Sequence, residues 1–385
     1  MFDLAIAILA ACAAVGGYRL GLLARALSWA GMGVGLVLGT RAIPLVVERL
    51  GGAEPSSRLL VAVGVLLGGA FAGQAIGLVI GARVSGALPR AGRPLDRLGG
   101  AFAGVAGLFV ALWLLLPTMA DVPGNAARLA RGSRVAQAVD EHAPEAPDTL
   151  QALRRLEGEG QFPQVFAALR PSPEVGPPPV DSGIAPAVVV ATSAATVKIE
   201  GRACDRIQEG SGFVAEPGVV VTNAHVVAGV DDVVVLRPDG SGSRAVVVHF
   251  DPDRDLAVLA APDVGADPLR LGDVEVGGAG AVFGYTGGGG LEVSPFSVQE
   301  EVEAVGRDLY DSHDTTRRVL VLASDLAPGD SGAAVVDASG RVVGVAFAIA
   351  PDEPGTAYAL TVEELQATLA GPRNGGGADT GRCLA

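Results

Sequence analysis

The sequence carries little positive charge. Of its 385 residues, 28 are Lys or Arg and 42 are Asp or Glu, so the formal net charge is −14, and Lys198 is the single lysine. A protein that binds nucleic acid needs a basic surface to neutralise phosphates. We therefore expect no nucleic-acid partner.

Residues that bind metals are also scarce. The chain has four histidines and three cysteines, and they lack the short spacings that zinc sites use. The glycine-rich stretch GGAGAVFGYTGGGG lacks the spacing and the following helix of a phosphate-binding loop, and is typical of a turn between strands. We expect neither a metal ion nor another cofactor.

The first 120 residues contain long runs without charge. Leu59–Ala82 and Leu98–Ala120 exceed the roughly 20 apolar residues that cross a bilayer. Leu4–Tyr18 and Ala26–Thr40 are shorter, at about 15 uncharged residues each. The first run has no basic segment before it, which argues against a signal peptide. We predict a domain of four transmembrane helices at 1–120.

Glycines recur at every fourth position in these runs. Such spacing lets helix backbones approach closely, so it predicts a packed helical bundle. A transport path would need buried ionisable residues, and Gln74 is the polar residue in mid-span. Arginines flank both sides of the membrane in similar number, so charge leaves the orientation undecided. The repeated glycines are Gly31, Gly35 and Gly39, then Gly69, Gly73, Gly77 and Gly81, then Gly100 and Gly104.

The middle of the chain, residues 121–180, reads as a linker. Residues 125–139 and 148–169 have helical spacing of apolar side chains, and the stretch RPSPEVGPPPVDSGIAP that follows has enough proline to form a stiff spacer. After it the pattern changes to short β-branched runs, among them AVVVATSAATVKIE, separated by Gly, Asp and Pro. This pattern predicts an all-β sandwich or barrel at 181–385.

One serine in this half, Ser331, lies in the turn APGDSG before an apolar run. Asp, Ser and Gly favour turns for conformational reasons alone, so the motif by itself is ambiguous. A nucleophilic serine needs a base and a residue that orients the base. His225, at a strand end in TNAHVV, and Asp255, before an apolar run in DRDLAVL, are the candidates. No G-x-S-x-G surrounds Ser331, which excludes the αβ-hydrolase arrangement.

These three motifs resemble the chymotrypsin/HtrA-like serine proteases, in the same chain order. The connecting segments, and the four spans before them, are similar to the MarP-type membrane-anchored proteases of actinobacteria, whose membrane domain belongs to the colicin V production (CvpA) family. The resemblance implies an all-β double barrel and a serine endopeptidase. It also implies His225 as the general base, Asp255 as its orienting acid and Ser331 as the nucleophile. The N–H groups of Gly329 and Ser331 would form the oxyanion hole.

The resemblance also suggests how substrate binds. Phe347, Ala348 and Ile349 would pair with the substrate backbone as an added strand. Asp325 lies where trypsin-like relatives carry the acidic floor of the P1 pocket, which predicts a basic P1 residue. Ile349 and Thr356 replace wall glycines, however, and branched side chains shorten a pocket. We favour a small apolar P1 residue, with Asp325 as a structural hydrogen-bonding residue.

Two departures from the family pattern concern the nucleophile loop. Ala333 and Ala334 follow Gly332 where relatives have Gly-Pro, so an additional methyl group lies behind the nucleophile. Asp330 has no new N-terminus with which to pair, and the sequence leaves open what holds the loop in place.

The matching family pattern implies a Cys204–Cys383 disulfide, whereas two free thiols are the alternative; Cys12 lies in the first span. A disulfide places the protease domain outside the cytoplasm. We expect a monomeric protease domain that cleaves cell-envelope proteins in acid or oxidative stress, and the linker is a candidate site of self-cleavage. The alternative is a membrane scaffold or stress sensor whose protease-like module binds without cleaving.

Overall fold

The computed structural model describes residues 2–47, 55–121, 124–144, 165, 171–203 and 206–384. These residues form two compact units, one of residues 1–115 with 133–139 and the other of 116–132 with 140–385. The helix predicted at 148–169 lies, apart from Val165, outside the described residues.

The first unit contains long apolar helices, and the prediction of four membrane-spanning helices is confirmed. Each has a segment long and apolar enough to cross a membrane, within Phe2–Leu20, Leu22–Ala42, Gly64–Gly86 and Arg93–Leu116. The full helices extend beyond the uncharged runs, because arginines are accommodated at helix ends. Their bounds are α1 Phe2–Leu20, α2 Leu22–Val47, α3 Pro55–Gly86 and α4 Arg93–Asp121.

The recurrent glycines bring α2 and α3 into close contact, as predicted. A Cβ atom added at Gly31 would overlap the carbonyl group of Gly73, and one added at Gly35 would overlap that of Gly69. Because only glycine permits this approach, the two helices pack backbone to backbone along this face.

Between the last apolar helix and the first strand, the part of the chain that the structure describes contains three short helices. They are α5 Asn125–Arg131, α6 Arg134–His142 and α7 Pro186–Ala195. The first two agree with the helical spacing at 125–139. The third corrects the strand predicted from AVVVATSAATVKIE, which begins only at Thr196. Pro186 in the first turn favours a helix start, and Thr196 Oγ1 donates to the carbonyl of Thr192 at its end (2.9 Å).

The first half of the β region is a closed antiparallel barrel. The strands are ordered β1-β2-β3-β6-β5-β4, and β1 pairs with β4 to close the ring. Val197, Val220 and Leu259 lie in its fully buried core. The bounds are β1 Thr196–Ala203, β2 Arg206–Glu216, β3 Val219–Thr222, β4 Val233–Leu236, β5 Gly242–Asp251 and β6 Leu256–Ala260.

The second half forms another barrel, so the predicted double barrel is confirmed. Its strands run β11-β8-β9-β10-β13-β12, closed by pairing of β11 with β12, and β7 adds in parallel to β12. Phe283, Val321 and Phe347 lie in its core. The bounds are β7 Arg270–Leu271, β8 Ala279–Gly284, β9 Glu292–Arg307, β10 Asp314–Ala323, β11 Ala334–Asp337, β12 Arg341–Ile349 and β13 Thr356–Thr361, followed by α9 Val362–Leu369.

Candidate active site

His225 and Asp255 are directly bonded to each other. His225 lies in the short helix α8 (Ala224–Val227) after β3, and Asp255 precedes β6, which pairs with β3. His225 Nδ1 lies 2.7 Å from Asp255 Oδ2, and the backbone N–H of His225 donates to Asp255 Oδ1 (2.9 Å). The carboxylate thus fixes both the ring and the backbone of the histidine.

The backbone around Asp255 is tightly constrained. The residue is fully buried and adopts a φ of 55°, in the left-handed region that aspartate and asparagine tolerate best. Asn223 Nδ2 donates to the carbonyl oxygen of Asp255 (2.8 Å). Asn223 therefore joins the segment that carries the histidine to the turn that carries the acid.

A buried arginine of the second barrel contacts this turn, and sequence reasoning did not find it. Arg317 is 1% exposed; its Nε donates to the carbonyl of Asp253 (2.6 Å) and its Nη2 to that of Arg307 (2.8 Å). Burial lowers the pKa of Arg317, and the Asp255 carboxylate is the largest charge that opposes this shift. Arg317 therefore connects the acid turn to the second barrel, and its charge is adjacent to that of Asp255.

Ser331 lies in a loop of the second barrel shaped by glycines. Gly329 has a φ of 101°, and Ser331 is 7% exposed. Ser211 of the first barrel holds both sides of the loop, because its Oγ donates to the carbonyl of Gly329 (2.7 Å) and its N–H to that of Ser331 (2.8 Å). Among the described residues, the N–H groups of Gly329 and Ser331 donate no hydrogen bond, so both can bind an oxyanion.

His225 and Ser331 come from different barrels, and the described residues include no hydrogen bond between their side chains. Catalytic hydrogen bonds of this kind often form only when substrate is bound.

Asp330, whose partner the sequence left open, holds the loop that carries Ser331 from within. Its carboxylate is buried and accepts hydrogen bonds from the N–H of Ala327 (2.9 Å) and from Thr286 Oγ1 (2.9 Å). Burial raises the pKa of Asp330, against the opposing effect of these two hydrogen bonds. The loop is therefore held without a newly formed N-terminus. The N–H of Ala333 donates to the carbonyl of Asp330 (2.9 Å), and its methyl group is accommodated in a buried hydrophobic cluster of the second barrel.

The segment predicted to bind substrate backbone has an open edge. Ala348 and Ile349 pair with Tyr358 and Ala357 of β13, and Phe347 lies at a bulge. The pairing of β11 with β12 reaches only Val345 in the described part of the chain. The opposite edge of 347–349 is open in the sense that no described strand pairs with it, while Phe347 and Ala348 themselves are 1% and 2% exposed.

Two residues predicted for the P1 pocket differ in their surroundings. Asp325 is exposed, and its carboxylate has no hydrogen bond or ion pair among the described residues, unlike the hydrogen-bonded residue we favoured from sequence. A Cβ added at Gly355 would lie 3.7 Å from Asp325 Oδ1. Thr356 is buried at the start of β13, and its hydroxyl has no partner there. Gly355 thus lies beside the predicted pocket floor.

The C-terminal tail packs on the first barrel. The N–H of Gly229 donates to the carbonyl of Thr380 (3.1 Å), and a Cβ added at Gly229 would lie 3.1 Å from Cys383 Sγ. Cys12 is a free, exposed cysteine in α1. Cys204 lies outside the described residues, so the Cys204–Cys383 bridge stays a prediction.

Asp253, Asp308 and His313 form a cluster that sequence spacing did not predict, with possible metal-ligating atoms within 4.8 Å of one another. His313 Nε2 pairs with Asp253 Oδ1 (2.9 Å), and Asp308 Oδ2 accepts from Ser312 Oγ (2.7 Å). The ion pair of His313 with Asp253 joins a turn of the second barrel to a turn of the first, and this structural role explains why the three side chains lie together.

Comparison with known proteins first shows the class of protein to which the chain belongs. The family described as Trypsin-like peptidase domain matches residues 210–345, and the family described as Colicin V production protein matches residues 2–144. A probable periplasmic serine endoprotease, DegP-like, of Halomonas elongata is 33% identical over 152 residues, which cover 38% of this chain and 30% of that protein. The double barrel therefore belongs to a trypsin-like serine protease.

A longer match identifies the family more narrowly. Serine protease Rv3671c of Mycobacterium tuberculosis H37Rv is 33% identical over 380 residues, which cover 96% of this chain and 94% of that protein. The crystal structure of the Rv3671c protease in its active form is 37% identical and covers 57% of this chain and 100% of that one, with a TM-score of 0.50. The chain belongs to this MarP-type family of serine proteases with a CvpA-like membrane domain.

Proposed function

We propose that the chain is a membrane-anchored serine endopeptidase with His225, Asp255 and Ser331 as its catalytic triad. The observation that carries the proposal is the pair of hydrogen bonds from His225 to the buried Asp255 carboxylate, at 2.7 and 2.9 Å. They hold the imidazole with its proton on Nδ1 and leave Nε2 free as a base.

In the proposed mechanism, His225 Nε2 removes the proton of Ser331 Oγ as that oxygen attacks the scissile carbonyl. The imidazolium then protonates the leaving amine, and water repeats the cycle on the acyl-enzyme. Asp255 stabilises the imidazolium while remaining ionised. The N–H groups of Gly329 and Ser331 bind the oxyanion, and loss of one such donor raises the barrier by roughly 3–4 kcal/mol.

The proposed substrate is an extended segment of a cell-envelope protein. Its backbone adds to the open edge of Phe347–Ile349, which places the scissile bond beside Ser331. Ile349 favours a small apolar P1 residue. The exposed Asp325 carboxylate makes a basic P1 residue the alternative, and a panel of P1 peptides decides between them.

We further propose three regions with distinct roles: a membrane anchor at 1–120, a linker at 121–180 and a monomeric protease domain at 181–385 on the outer side of the membrane. The predicted Cys204–Cys383 bridge would require that side, and the periplasmic assignment of a DegP-like relative supports it. Acid and oxidative stress are the proposed conditions of action. Val180 in the proline-rich stretch is fully exposed, and is the proposed region of self-cleavage.

The test is labelling of the full-length chain, purified in detergent, with a fluorophosphonate probe. We expect labelling of the wild type, none of Ser331→Ala, and wild-type labelling of Ser339→Ala, whose hydroxyl bonds to Asp337 in a surface turn. A folded wild type that takes no label contradicts the proposal and favours a binding module.

A further inference from the structure

We propose that Arg131 and Ser172, which precede the protease strands, are positioning residues for the substrate cleft. They act through Asp352 on the loop of residues 350–355, here termed the cleft loop. This inference rests on the proposed function, since it concerns how the same site holds its substrate.

The cleft loop borders both predicted substrate-binding elements. It begins directly after Ile349, the end of the strand that would pair with the substrate backbone. At its other end, the carbonyl of Gly355 accepts a hydrogen bond from the N–H of Ser324 (2.8 Å), next to Asp325. A shift of this loop therefore changes the position of Phe347–Ile349, the segment proposed to pair with the substrate backbone, relative to Asp325, the predicted floor of the P1 pocket.

Asp352 is the buried point at which the loop is held. It is 5% exposed, and its two carboxylate oxygens accept hydrogen bonds from Ser172 Oγ (2.6 Å) and from the N–H of Ser172 (2.9 Å). Arg131 Nε lies 4.0 Å from Asp352 Oδ1. A buried carboxylate is costly without such partners, so the upstream residues stabilise the position of the loop.

Further upstream contacts reach the same loop. The N–H of Gly124 donates to the carbonyl of Pro351 (2.8 Å), and Pro178 lies 3.4 Å from a Cβ built at Gly355. Upstream residues thus contact the cleft loop at its start, its middle and its end. Contacts from four upstream residues to three positions of one short loop are more than a passing linker needs.

Asp352 also influences a residue of β13, the strand that pairs with the segment proposed to bind the substrate backbone. Tyr358 is 1% exposed and lies opposite Ala348 in the β12–β13 pairing. Burial raises the pKa of Tyr358 to about 12, and the charge of Asp352 acts in the same direction. The charge of Asp352 therefore lies near β13, the strand that pairs with Ala348 and Ile349.

The test compares two reactions of the full-length chain in detergent. A small fluorophosphonate requires the nucleophile but little of the cleft, whereas a peptide extended over several residues requires the cleft as well. For Ser172→Ala and Arg131→Gln we expect kcat/KM for the peptide to fall about tenfold, mainly through KM, because the first loses a hydrogen bond to the buried Asp352 carboxylate and the second loses the opposite charge 4.0 Å from it. Labelling should stay within about twofold of wild type.

Two variants serve as controls. Ser172→Thr keeps the hydroxyl and should restore peptide cleavage. Arg373→Gln removes an ion pair to Glu216 (2.8 Å) on the first barrel, at a site that makes no hydrogen bond to the cleft loop, and should leave both reactions unchanged. Parallel loss of labelling and peptide cleavage in Ser172→Ala, or no change in either, overturns the inference.

A readout independent of activity separates this inference from the proposed function. Hydrogen exchange at the amides of Ala350 and Thr356, which are bonded within the loop region, should accelerate in Ser172→Ala and Arg131→Gln but not in Arg373→Gln. Unchanged exchange overturns the positioning role. If the wild type takes no label, the proposed function fails, and exchange alone decides whether Asp352 holds the loop.

Discussion

The substitution Asp255→Asn tests the proposed base directly. The asparagine can keep its Oδ1 as acceptor for the backbone N–H of His225, at the position of the 2.9 Å bond. Its amide nitrogen then replaces the oxygen 2.7 Å from His225 Nδ1. Because an amide nitrogen donates, Nδ1 must become an acceptor, and the proton moves to Nε2, where it prevents removal of the serine proton.

The expected loss follows from that change of tautomer. In triads of this type the Asp-to-Asn change lowers kcat about 10⁴-fold, or roughly 5 kcal/mol in the barrier. The backbone is not strained, because asparagine tolerates the φ of 55° found at Asp255. Removal of the charge also leaves the buried Arg317 less compensated, at a cost on the order of 2 kcal/mol in folding stability.

The assay measures kcat on a peptide substrate and urea unfolding on the same preparations. Asp253→Asn is the matched control, because it makes the same change in the same turn on a carboxylate that pairs with His313 Nε2 at 2.9 Å. It should retain activity within a few-fold of wild type. If Asp255→Asn keeps more than about a tenth of the wild-type kcat while folded, Asp255 does not hold a general base, and the reasoning is refuted.

Further predictions concern other parts of the molecule. As pH falls from 7 towards 4, urea unfolding should show wild type gaining stability relative to Asp330→Asn. The reason is that the pKa of Asp330 is raised, so the folded state takes up a proton at a higher pH than the unfolded chain does. A stability difference between the two proteins that does not change with pH contradicts this prediction. Cys383→Ser should destabilise the chain by about 5 kcal/mol, since the predicted bridge closes a loop of roughly 180 residues. Reductant should destabilise the wild type by the same amount, and a wild type that is unaffected by reductant excludes the bridge. Gly69→Leu should lower the thermal midpoint in detergent because its Cβ meets the backbone of Gly35, whereas Gly68→Leu, with nothing within 4 Å, should not.

The fold could be predicted because its signals are local. Apolar runs set the helices of the first unit, and the four-residue glycine spacing identified the face on which Gly31 and Gly35 meet Gly73 and Gly69. The β-branched runs indicated the barrels. The exception is the run after Pro186, where a helix forms despite β-branched residues, since a helix-starting proline outweighs a weak propensity.

The groups around the proposed catalytic residues could not be predicted, because they come from distant parts of the chain. Thr286 bonds to Asp330 across 44 positions and Ser211 to Gly329 across 118. Nothing in the sequence around Arg317 indicates that it is buried, yet it lies between carbonyl groups. A single polar residue carries no periodicity, so only the folded barrels reveal its partner.

The contacts of the cleft loop indicate which upstream residues belong with the protease domain. The composition change near residue 180 suggested a domain that starts there, but Arg131 and Ser172 belong to the same compact unit as the strands. A fragment that starts at 181 would lack Ser172 and leave the carboxylate of Asp352, at 5% exposure, without those hydrogen bonds. The fragment would also lack Arg131, so the contacts that hold the cleft loop at Asp352 would be lost. The fragment should then label at Ser331 yet cleave peptides poorly, which is the behaviour expected of Ser172→Ala in the intact chain.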